Sequence, residues 1–166
     1  MAARGQTQRW VLLCYRLPRE PSTPRITVWR KLERLGVARL GDGLVGLPAD
    51  ARTRERFDWL AEEIAEAGGA ATVWLGSPAH AAQEEAVADA LREARAAEYD
   101  AVTTQAQNAA AGDSDEVARV VRRLREELGR IARRDFFPPP QREQAHAAVQ
   151  ALAAAAAPGR RSARLR

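Results

Sequence analysis

The chain has almost no cysteine and almost no lysine, and both shortages restrict what it can do. Cys14 is the only cysteine in 166 residues, and His80 and His146 are the only histidines. No intrachain disulfide can form, and a Cys/His metal site with three or four ligands cannot be assembled within one chain. Cys14 lies in an apolar stretch and reads as a small buried hydrophobe rather than a reactive thiol. No run of eighteen apolar residues occurs, and the first residues lack a charged, apolar, small-residue cleavage pattern. Neither a spanning helix nor a secretory signal is expected, so a soluble cytoplasmic protein without membrane contact is the default. Walker loop, dinucleotide fingerprint, nucleophile elbow and paired-histidine motif are all missing. The adjacent acids Glu62-Glu63 and Glu84-Glu85 fall on predicted helices, where neighbours point in different directions, so neither pair can share acid/base work. The expectation is a protein that is not an enzyme and takes no cofactor.

What is present is a globular composition with segregated charge. Hydrophobic residues make up 46% and charged residues 29%, which suits one domain with a core and room for a helical extension. Residues 1–39 carry nine basic side chains against two acids, residues 40–116 five against sixteen, and residues 117–166 twelve against four. All the basic residues except Lys31 are arginine. The planar guanidinium fork fits phosphate and other oxyanions, which points to nucleic acid or a small oxyanion as partner. The competing reading folds the basic ends against the acidic middle.

The first organised stretch runs from Trp10 to Gly36. The apolar run from Trp10 to Tyr15 predicts a central strand covered on both faces, closed by Leu17-Pro18. Ser22-Thr23-Pro24 has the chemistry of a helix start, a hydroxyl cap followed by proline. The helix from about Pro24 to Leu35 sets Val28, Trp29, Leu32 and Leu35 on one arc and Thr27, Arg30, Lys31 and Arg34 opposite, and Gly36 suits its C-cap. Residues 37–47 read as a hairpin around Asp42-Gly43. A helix capped by Asp50 runs to about Ala67, with Phe57, Leu60 and Ile64 inward, and Ala70–Leu75 supplies another strand. Strand, helix, strand, strand, helix, strand is the ferredoxin-like alternation.

Beyond Pro78 the pattern becomes helical. One helix is expected from about Ala79 to Ala110. A second runs from about Asp115 to Arg134, with Val117, Val121, Leu124, Leu128 and Ile131 at coiled-coil-like spacing and the preceding helix as its natural partner in a hairpin. Phe136-Phe137 before three prolines reads as an anchored chain reversal, and a weak Ala-rich helix follows to about Ala157. The expected fold class is thus α+β: a ferredoxin-like βαββαβ domain over residues 1–78, a long α-helical hairpin and C-terminal helix over 79–157, and a basic disordered tail over 158–166.

The candidate binding residues are arginines around the elbow between strand and helix. Arg16 ends the first strand and Arg25 sits in the first helical turn, where the helix dipole favours an anion. Arg30, Lys31 and Arg34 extend the basic face, and Arg122 and Arg123 stand for the basic side of the helical hairpin. The ligand reads as DNA phosphate or a small oxyanion. Alternatively, Arg16 and Arg25 pair with acids such as Glu20, Asp58 or Glu62.

These residues also carry a family resemblance. Trp10-Val11-Leu12-Leu13, Tyr15-Arg16-Leu17-Pro18, Pro21-Ser22, Arg25, Val28-Trp29-Arg30, Leu35-Gly36 and Gly43-Leu44-Val45-Gly46-Leu47-Pro48 resemble the amino-terminal domain of the chromate resistance regulator ChrB. The likeness continues through Trp59-Leu60, Glu62-Glu63-Ile64, Glu66-Ala67-Gly68-Gly69, Glu98-Tyr99 and Arg134-Asp135-Phe136-Phe137. More distantly, the first strand and helix are similar to the ferredoxin-like domain of PaaX-type repressors and of the CRISPR adaptation nucleases. The resemblance implies a bacterial, cytoplasmic, chromate-responsive transcriptional regulator that binds DNA, expected here as a homodimer. It equally admits a chromate-binding protein, or a partner module for a separate ChrB carboxy-terminal domain, since ChrB proteins typically carry a second domain that this chain stops before.

Overall fold

In the computed structural model, which describes residues 8–156, five helices and four strands follow the expected order. The strands are β1 (Trp10–Arg16), β2 (Ala38–Gly41), β3 (Leu44–Pro48) and β4 (Ala70–Gly76). The helices are α1 (Thr23–Leu35), α2 (Ala51–Glu66), α3 (Ala81–Ala109), α4 (Ser114–Ala132) and α5 (Gln141–Ala156). The sheet has the order β2-β3-β1-β4 with every pair antiparallel, so the α+β class with a ferredoxin-like start is the fold of the chain. It divides into two compact units, residues 1–91 and 92–166.

In the first unit, β1 occupies the middle of the sheet, with Leu13 opposite Val45 on one side and Val73 on the other. Val11, Leu13, Val45 and Leu47 are buried on the face that receives Val28 and Leu32 of α1 and Phe57, Leu60 and Ile64 of α2. The opposite face is not covered to the same extent. Trp10 is buried there, its indole Nε1 donating to Glu84 at 3.3 Å, but Leu12 is half-buried and Cys14 is exposed. This corrects two expectations, a strand covered on both faces and a buried Cys14. A continuous apolar run is the usual mark of two-sided cover, but in an antiparallel sheet with both helices on one face alternate residues must look outward.

Local chemistry fixes the element ends. Asp50 caps α2 through a reciprocal pair, its side chain accepting from Thr53 N at 2.7 Å while Thr53 Oγ1 accepts from Asp50 N at 3.0 Å. The buried Thr53 hydroxyl also donates to Pro48 O at 2.8 Å, locking the helix start to the end of β3. Gly36 closes α1 in the left-handed conformation (φ 67°).

The first turns of α3 belong with the sheet. Glu84 accepts from both Gln8 N and the Trp10 indole, and the first unit extends to Leu91; the sequence pattern, which changes at Pro78, sets the helical part from residue 79. The second unit is built on the remainder of α3 with α4 and α5. The seam Val117, Val121, Leu124, Leu128 and Ile131 is buried as the spacing predicts, with Ala145, Val149 and Leu152 of α5 and Tyr99, Val102 and Ala106 of α3 in one core. Ala-rich α5 therefore has a larger role than its weak pattern suggests, because small side chains let it lie close to α4. Beyond α4, Tyr99 Oη donates to Asp135 Oδ2 at 2.9 Å and Arg134 Nη1 to Glu98 Oε1 at 2.8 Å, tying the turn back to α3. Phe136 and Phe137 are half-buried in that turn. The expected tail over residues 158–166 lies outside the described residues.

Candidate nucleic-acid interface

Three local features bring the end of β1, the start of α1 and the β2–β3 turn around one cleft. Leu17-Pro18 stops β1 directly after Arg16, so the chain turns away with Arg16 and Arg19 at its rim. Ser22 precedes α1, but its side chain makes no capping hydrogen bond, and Pro24 contributes no amide. The first turn thus begins without a side-chain acceptor, the arrangement in which a helix start offers its dipole to an external anion. On the far side the β2–β3 turn is drawn tight against β1: Tyr15 N donates to Gly43 O at 2.7 Å, and a Cβ on Gly43 would stand 2.3 Å from the Tyr15 carbonyl oxygen. Gly43 has φ 73°, so both its conformation and its close approach call for glycine.

The resulting cleft is open to solvent, measures about 1080 Å³ and is lined by Arg16, Arg19, Arg25 and Arg39, with Asp42 as its acid. Tyr15, Ile26 and Trp29 form its apolar wall. Arg39 Nη2 is held by Glu33 Oε1 at 2.6 Å. Among the described residues, the guanidinium groups of Arg16, Arg19 and Arg25 enter no ion pair, and the acids considered as their partners do not reach them: Asp58 lies instead 3.9 Å from Arg54. Three cationic forks and an uncapped helix start therefore converge on a concave surface. The groups the cleft presents, arginine guanidiniums beside the exposed amides of a helix start, are hydrogen-bond donors of the kind that suit an anion. Among the described residues no group of three or more His, Cys, Asp or Glu is placed to hold a metal ion.

The sequence-predicted residues separate into three groups. Arg16 and Arg25 come together in the cleft. Arg30 and Arg34 are exposed on α1 and continue a track from Ile26 at helical i, i+4 spacing. Lys31 instead forms a salt bridge with Glu63 of α2, so its ammonium is partly neutralised within the fold. Arg122 and Arg123 are exposed on α4 in the second unit, where Arg123 Nη2 donates to Gln105 Oε1 at 3.2 Å.

Arg19 and Trp29 are additions that the sequence pattern does not select. Trp29 was expected on the inner arc of α1 but is 53% exposed in the cleft wall. The inner stripe is narrower than the apolar arc, passing through Val28 and Leu32 with Lys31 turned toward α2. Trp29 then falls beside Arg25, one turn earlier. An aromatic adjoining Arg25 and Arg30 in a surface helix was the available signal.

Comparison with known proteins agrees with the resemblance. The family described as "Protein ChrB, N-terminal" matches residues 25–119, from the first turn of α1 into α4. A protein named "Protein ChrB" from Cupriavidus metallidurans is 36% identical over 134 residues, covering 78% of this chain and 40% of that protein. The chain thus spans less than half the length of that relative. No solved structure matches. The match over more than half its residues shows that this chain belongs to the ChrB family, by its N-terminal domain.

Proposed function

We propose that this chain is the DNA-binding part of a chromate-responsive, ChrB-like transcriptional regulator, working in the cytoplasm without catalysing a reaction. The observation that carries the reading is the convergence of Arg16, Arg19 and Arg25, none of them ion-paired among the described residues, on a cleft that begins at an uncapped helix. Arg30 and Arg34 prolong the basic surface along α1, which suits a polyanion better than an isolated ion. Phosphate contacts of this type supply affinity through counterion release, so binding falls steeply with salt, by roughly tenfold per near-doubling when about four phosphates are neutralised. The test is a gel-shift titration on the DNA upstream of its own gene at two salt concentrations. Retarded complexes that dissolve at the higher salt are expected, and no complex at low salt would refute the proposal.

A second reading, binding of a small oxyanion such as chromate, is favoured by the same uncapped start of α1 beside Arg25. The exposed basic surface continues past the cleft along Arg30 and Arg34 of α1, and for that reason DNA is preferred. Calorimetry with chromate and sulfate separates the two. Loss of an oxyanion signal in Arg25→Ala, with DNA binding little changed, would favour the oxyanion.

A further inference from the structure

The two edges of the sheet are built differently. At one edge β2 has four residues, carries Arg39 and shifts register between Arg39 and Gly41. Shortness, charge and a bulge all prevent an edge from pairing with another strand. At the other edge β4 has seven residues, Ala-Ala-Thr-Val-Trp-Leu-Gly, without a charge, a proline or a shift of register against β1. Ala70, Thr72, Trp74 and Leu75 are exposed, and Trp74 (58%) and Leu75 (43%) project from opposite faces. Among the described residues no strand pairs with the outer side of β4. An uncharged, regular edge with large apolar side chains on both faces is a template for strand addition.

We propose that a second copy of this chain adds to β4 in antiparallel fashion, joining two four-stranded sheets into one of eight strands. The inference does not rest on DNA binding. The strand matches itself about a two-fold axis at Val73, where Ala70 meets the partner's Gly76, Ala71 the partner's Leu75, and Thr72 the partner's Trp74. All seven residues overlap and no charge is buried. On one face the two Trp74 side chains lie diagonally across the axis, a separation of roughly 7–8 Å that indoles span. On the other face Leu75 covers the partner's Ala71. Charge favours the same arrangement. Arg16 stands beside Ala70 in the register of β1, whereas Glu84 is bonded to Trp10, which stands beside Gly76. Antiparallel addition sets the Arg16 end of one copy against the Glu84 end of the other, and parallel addition would bring like ends together. Such an isologous two-fold contact is the commonest kind in homo-oligomers.

Sedimentation equilibrium on the full chain tests the proposal. Wild type is expected to be a dimer, and Thr72→Lys/Trp74→Lys a monomer with unchanged far-UV circular dichroism, since both positions are exposed. A monomeric wild type, or a double variant that remains dimeric, would overturn it. Mild oxidation of Val73→Cys in a Cys14→Ser background is expected to give a disulfide-linked dimer, because the axis brings the two thiols opposite one another. A dimer that gives no such link would place the contact elsewhere and also overturn it.

Discussion

Gly43 shows how a single backbone position shapes the cleft. Alanine there would need φ 73° and a Cβ 2.3 Å from the Tyr15 carbonyl oxygen, whereas at Gly41 an added Cβ meets nothing within 4 Å. Gly43→Ala is expected to lower stability by about 2 kcal/mol in chemical denaturation, with Gly41→Ala nearly neutral. In the second unit, burial and then the hydrogen bond to Asp135 push the Tyr99 hydroxyl up to about 12 from its ordinary 10.0. The folded state therefore holds this proton more tightly than the unfolded state. The stabilisation is complete below the unfolded value and is lost as pH rises through the folded one. Tyr99→Phe is expected to cost about 1 kcal/mol at neutral pH and to remove this part of the alkaline loss, as urea unfolding at pH 8 to 12 would show. At this scale the sequence was informative for Arg16 and Arg25, whose places follow from Pro18 and Pro24 breaking the chain beside them. It was misleading for Lys31 and Trp29. Whether a side chain on a helix flank meets water or a neighbour depends on the position of Glu63, thirty-two residues away, and no local pattern encodes that contact.

Elements whose ends carry their own chemistry were legible. Asp50 marks the start of α2 by residue type alone, while the reciprocal bond from Thr53 is added by the structure, and Asp50→Ala is expected to cost about 1 kcal/mol in thermal unfolding through loss of the cap. Ser22 looks equally like a cap in sequence but makes no such bond, which leaves the start of α1 available to a ligand. The seam of α4 was readable because its branched and leucine side chains recur at alternating spacings of four and three. The weight of α5 was not, since alanine contributes little to periodicity yet packs closely. The hidden feature of β1 was the openness of its second face. A run of hydrophobic residues reports apolarity at each position, but the number of helices covering each side is set by topology, and here α1 and α2 share one side. Cys14 is exposed for that reason.

Across the whole chain, charge segregation proves to be partly internal and partly directed outward. Glu63 takes up Lys31, and Glu98 takes up Arg95 and Arg134, so the acidic middle does neutralise some of the basic residues. Among the described residues it leaves Arg16, Arg19 and Arg25 without ion pairs in the cleft, and they are the residues on which DNA binding is proposed to depend. The most direct measurement is affinity for DNA as a function of salt, by fluorescence anisotropy, for wild type and for Arg16→Ala/Arg19→Ala/Arg25→Ala. If the three guanidiniums each neutralise one phosphate, the slope of log K against log salt becomes shallower by roughly 2.7 in the variant. A variant that keeps both the slope and the affinity of wild type would contradict phosphate binding by this cleft.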